Sequence, residues 1–96
     1  MRRSVAEVIQ SLRQRKRSLT YKKLVTLMES VGCTFRDIRD GCLISHPSVV
    51  GFRATVARPH GPKQGKNVKV PYVNNCIKLL ELVEEERNKN DSTEHL

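Results

Sequence analysis

Apolar residues fall at helical spacing twice near the start of the chain. Val5, Val8, Ile9 and Leu12 recur at i, i+3, i+4 and i+7, the stripe of one helical face. Ser4-Val5-Ala6-Glu7 ahead of them has the form of a capping box. A short first helix is predicted, running out in the basic stretch Arg13-Gln14-Arg15-Lys16-Arg17. A second helix is expected from Ser18 or Thr20, with Leu24, Leu27, Met28 and Val31 on one side and Gly32 closing it.

From Cys33 the period shortens. Three strands are expected over 33–39, 42–46 and 52–58, divided by Asp40-Gly41, a hairpin signal, and by the stretch from Pro47 to Gly51. In the third, Phe52, Ala54 and Val56 alternate with Arg53, Thr55 and Ala57, which predicts one face against helices and the other in water. Helical spacing returns at Pro71, a residue suited to a first turn, and places Val73, Cys76, Ile77, Leu80 and Val83 on one side. The polar run from Glu84 to Asp91 has nothing to bury. The pattern as a whole predicts an α+β fold, a three-stranded antiparallel sheet with helices packed on one face.

Ninety-six residues make one small domain, burying about two-thirds of its unfolded surface. With no Trp, two Phe and two Tyr, the core must come mainly from Val, Leu and Ile, and aromatic platforms for stacking bases are not expected. Cys33, Cys42 and Cys76 are widely spaced and sit in apolar runs, so they read as small buried hydrophobes in a reducing compartment, not as a disulfide framework or a zinc site. No cofactor or metal motif is expected. No apolar run reaches the roughly 18 residues of a membrane span, and Met1-Arg2-Arg3 leads into an amphipathic helix, so a cytoplasmic protein without a membrane partner is expected.

Charge changes the picture. Residues 1–78 hold sixteen Lys/Arg against four Asp/Glu, net +12, and residues 79–96 hold two against six, net −4. Nothing between Asp40 and Glu81 is acidic, while Arg53, Arg58, Lys63, Lys66, Lys69 and Lys78 lie in that interval. An isoelectric point near 9.9 with clustered cations points to a polyanionic partner, because Lys and Arg release condensed counterions when they meet phosphates. Arg53, Arg58, Lys63, Lys66 and Lys69 are the candidate contacts.

"LTYKKLVTLMESVGC", then "RDGCLISHP", then "GFRATVARPHGPK" and the basic lead into "VPYVNNCIKLLELV" resemble the HicA-type toxins of bacterial toxin-antitoxin systems, over roughly residues 19 to 83. The resemblance implies the double-stranded-RNA-binding (dsRBD-like) fold over 19–87, with the basic helix of 1–18 as an extra element and 88–96 as a polar tail. It also implies an mRNA interferase, an endoribonuclease acting on messenger RNA and neutralised by a cognate HicB-type antitoxin. In that family the proposed catalytic group is a histidine in a Gly-Ser-His at the start of the second strand. Here Arg39-Asp40-Gly41-Cys42 holds that position, without a histidine.

His46 and His60 are the candidate catalytic residues. His46 stands four or five residues further on, about 15 Å along a strand, and shares the side of Cys42 and Ile44, so that it also reads as a partly buried turn residue. His60 sits between Pro59 and Pro62 in the basic loop, where neighbouring cations favour a neutral imidazole. Two readings of His60 stand: a general base for a 2'-hydroxyl, or a surface residue that touches phosphate at most. The competing function is a module of the same fold that binds RNA or an acidic protein and cuts nothing.

Overall fold

A computed structural model of the protein describes residues 4–58 and 67–94. The order is α1 (Val5–Gln14), α2 (Tyr21–Glu29), β1 (Thr34–Ile38), β2 (Gly41–Ser45), β3 (Ala54–Ala57) and α3 (Val70–Glu94). The fold is α+β, with a three-stranded antiparallel sheet in the order β1-β2-β3.

Side-chain caps set both early helix starts. Ser4 is extended, and its hydroxyl accepts the Glu7 N–H at 3.1 Å, satisfying one of the helix's orphan donors. That hydroxyl also donates to the Glu7 carboxylate, again at 3.1 Å. Thr20 repeats the device, its hydroxyl accepting the Lys23 N–H at 3.2 Å. At the other end of α2 the Cys33 N–H reaches the Met28 carbonyl and the Gly32 N–H reaches that of Glu29, the two bonds of a Schellman closure. Gly32 has φ +88°, a conformation that costs glycine little.

The two-residue hairpin turn falls one position earlier than the Asp40-Gly41 signal predicts. Ile38 pairs with Gly41, so Arg39 and Asp40 are the two turn residues, and neither has positive φ. Gly41 is a strand residue, required for closeness: a Cβ there would lie 2.0 Å from the Val56 carbonyl oxygen on β3.

Alternation divides the sheet cleanly. Cys42, Ile44, Ala54 and Val56 are buried on the helix side, joined in one core cluster by Leu24, Leu27 and Met28 of α2 and Val73, Cys76, Ile77, Leu80 and Val83 of α3. Val5, Val8, Ile9 and Leu12 of α1 belong to the same cluster, α1 lying against α3 and α3 against β3. The opposite face presents Arg36, Leu43 and Thr55 in one row and Thr34 beside Ser45 in the next. All five residues of β1 are exposed or half-buried. α3 does not end with its apolar stripe: its backbone stays helical through the polar run to Glu94, since each added residue closes one more hydrogen bond once a helix is nucleated. Among the described residues no helix is long and apolar enough to cross a membrane.

Candidate nucleic-acid interface

Both described ends of the basic loop are fastened near the start of α2. At the upstream end, the Arg58 N–H donates to the Asp40 carbonyl at 2.7 Å. Its guanidinium lies 5.5 Å over the centroid of the Tyr21 ring and 3.5 Å from the Asp37 carboxylate. Tyr21 and, secondarily, Asp37 raise Arg58 above its already high ordinary value, so it stays charged. Burial and the Cys42 thiol push the Tyr21 hydroxyl upward, which keeps it neutral. At the downstream end, Val68 N–H donates to the Leu19 carbonyl at 2.7 Å, Asn67 Nδ2 donates to the Arg17 carbonyl at 2.9 Å, and Thr20 bridges Asn67 as in an antiparallel pair.

The effect is to gather cations that the sequence scatters. Arg17, Lys22, Lys23, Arg58 and Lys69, all exposed, flank one short stretch of backbone from Arg17 to Tyr21. The first turn of α2 carries no acidic residue. Among the described residues Arg17, Lys22, Lys23 and Lys69 have no carboxylate partner, and Arg58 is the one cation of the group with an ion pair, a loose one between exposed side chains. Lys69 also supplies the carbonyl that accepts the Tyr72 N–H at 3.0 Å at the entry to α3. The sequence reading missed Lys22 and Lys23, because on a helix of period 3.6 they read simply as its wet side; only the Thr20–Asn67 bridge sets them beside the loop.

The other candidates fall in different places. Arg53 is exposed on the uncovered face of the sheet, away from the α2 start. His60, Lys63, Lys66 and His95 lie outside the described residues. His46 is buried at the end of β2, and both of its ring nitrogens are engaged. Nδ1 accepts the Ser48 N–H at 3.0 Å, so Nε2 carries the proton and donates it to the Val31 carbonyl at 3.1 Å. Both nitrogens are engaged with backbone, so in this structure His46 presents no free nitrogen to a 2'-hydroxyl. Its role is to tie the Pro47 turn to the end of α2.

A groove of about 730 Å³ between α1 and α3 holds none of the predicted residues. Glu81, Glu84 and Glu85 line it, with Arg13 bonded to Glu81 at 2.7 Å, and its carboxylates repel phosphate. Compared with protein families, with characterised proteins and with solved structures, the chain shows no significant match to any of them.

Proposed function

We propose that the protein is a HicA-like, dsRBD-like RNA-binding toxin that takes RNA at the start of α2 and the loop fastened to it. The observation that carries this reading is the convergence of Arg17, Lys22, Lys23, Arg58 and Lys69 on one acid-poor edge, with the loop of Lys63 and Lys66 tied there at both ends. RNA helices are held through phosphates and 2'-hydroxyls, by cations and helix ends, without many aromatic residues. A chain with four aromatic residues and a net charge of +8 fits that mode better than base stacking.

Messenger RNA is the proposed target, a HicB-type antitoxin the proposed partner, and His60 the proposed general base of cleavage. A second reading, binding without cutting, is favoured by two observations: His46 is engaged in two structural hydrogen bonds, and the family's Gly-Ser-His is absent.

Filter binding of an oligoribonucleotide across a salt series tests the first part. Changing Arg58, Lys63 and Lys66 together to Ala is expected to lower the log–log salt slope by about one for each phosphate that the protein no longer neutralises. An unchanged slope removes the loop from the interface. Growth arrest and RNA cleavage by the wild type, both abolished in His60→Ala with the fold retained, establish the interferase; a wild type that binds without cutting establishes the module.

A further inference from the structure

We propose that the uncovered face of the sheet is a second contact surface for the RNA sugar-phosphate backbone, separate from the edge at α2; the proposal rests on the RNA-binding reading above. The strand register builds this face. Arg36 of β1 pairs with Leu43 of β2, which pairs with Thr55 of β3, while Thr34 pairs with Ser45 in the next row, with Arg53 just ahead of β3 on the same side. All of these are exposed or half-buried.

The polar groups of the face are two guanidiniums and three hydroxyls, with Leu43, Ile38 and Ala57 as its apolar positions and no carboxylate among its strand residues. The strands' one carboxylate, Asp37, falls on the opposite face by register, beside buried Cys42, and is engaged by Arg58. Neither Arg36 nor Arg53 has an ion-pair partner among the described residues. The Thr34 and Ser45 hydroxyls stand 2.8 Å apart on the wall of an open cavity of about 310 Å³, with Arg53 and the Gly51 backbone on its other side. Hydroxyls donate to phosphate oxygens and accept from 2'-hydroxyls, and a guanidinium offers a planar fork to a phosphate. Val50, 97% exposed at the rim, gives a ribose or base an apolar contact. From strand spacing, Arg36 and Arg53 lie about 10 Å apart across the sheet and about 7 Å along it, so they reach different phosphates.

An acidic protein would meet the same charges, but protein interfaces are anchored on a packed cluster of aromatic and apolar residues, and here exposed Ile38 at the hairpin end, half-buried Leu43 at the centre and Val50 at the far rim stand apart, with no aromatic residue among them. A nucleic-acid backbone needs no such anchor. The two surfaces lie on opposite faces, since Arg58 contacts Tyr21 on the helix side at the hairpin end, while Arg53 and Ser45 lie at the far end of the strands. They therefore take two RNA segments, or one strand that turns around the molecule.

The test is titration of the full chain with an oligoribonucleotide, read by amide chemical shifts and by salt-dependent affinity, for the wild type, Arg36→Gln/Arg53→Gln, and the Arg58, Lys63, Lys66 triple alanine variant. Amides of Thr34, Arg36, Leu43, Ser45, Arg53 and Thr55 should shift. The double variant should bind about tenfold more weakly at low salt, with a slope lower by about two, additive with the triple variant. If RNA binds with those amides and that slope unchanged, the sheet face is not a site while the RNA reading stands; if the wild type binds no RNA, both fall. If poly-glutamate of matched length shifts the same amides with equal affinity, or if they shift with protein concentration alone, an acidic protein or a second copy is the occupant and the proposal is overturned.

Discussion

His46 shows how one buried polar group is made safe by giving each of its nitrogens a backbone partner, Ser48 N–H on one side and the Val31 carbonyl on the other. Removing it leaves a buried carbonyl and amide unsatisfied, which costs about 1–3 kcal/mol. His46→Ala should therefore shift the urea midpoint downward, and His46→Asn, which keeps an acceptor near Nδ1, should recover part of the loss. Gly41→Ala should cost at the upper end of about 1–3 kcal/mol, because the atom that the new methyl meets is backbone and cannot swing aside; the same unfolding curves measure it. The thiols define the alkaline limit. Burial pushes Cys33 and Cys76 up to about 12. In the unfolded chain they lose protons from about pH 9, so between pH 9 and 12 the unfolded state binds fewer protons than the native one and stability falls as pH rises. Cys76, the more deeply buried thiol, should contribute about 1 kcal/mol of loss at pH 10 and Cys33 less, because water screens it more, read as a falling thermal midpoint that flattens in Cys33→Ala/Cys76→Ala.

At the scale of elements, α1 is a structural partner of α3 as well as a basic extension. Its four apolar residues are buried in the common core, so Leu12→Ala should destabilise the whole domain by about 2–5 kcal/mol in one cooperative transition. A separate early transition would show that α1 folds apart. The loop between β3 and α3 is fastened by Arg58 over Tyr21 and by Asn67 on Arg17. Asn67→Ala removes one hydrogen bond, worth about 1 kcal/mol to stability, and should weaken RNA binding by loosening the downstream anchor while leaving the charge untouched. An RNA affinity equal to that of the wild type would show that the anchor does not position the cations.

Across the molecule, charge is polarised. The cations at the start of α2 and on the open sheet face stand apart from a cluster of carboxylates on one flank, where α3 carries Glu81, Glu84 and Glu85 beside α1. On the proposed RNA-binding reading, those carboxylates would turn an approaching polyanion toward the basic surfaces, an effect that acts over about a Debye length, near 10 Å at 0.1 M salt. Glu84→Gln/Glu85→Gln raises the net charge by two and should speed RNA association at low salt but not at high salt, as stopped-flow mixing would read. A rate gain that survives high salt would mean that the groove itself touches RNA.

Periodicity and caps were enough to locate the three helices and three strands, but not how far α3 runs past its apolar stripe. The apolar stripes of α1, α2 and α3, the alternation of β3 and the Ser4, Thr20 and Gly32 boundaries are local signals, set by backbone geometry within a few residues. The charge polarity of the chain was equally legible, because composition does not depend on folding. Tertiary structure decided the rest. The turn at Arg39-Asp40 follows from how closely β2 must approach β3, a cross-strand distance invisible along the chain. His46 is tied into the fold because its Nε2–H donates to the carbonyl of Val31, fifteen residues away. Lys22 and Lys23 joined Lys69 because a bridge from Thr20 to Asn67 spans forty-seven residues of chain, and Arg36 met Arg53 on one face because strand register, not sequence distance, sets which side chains share a surface.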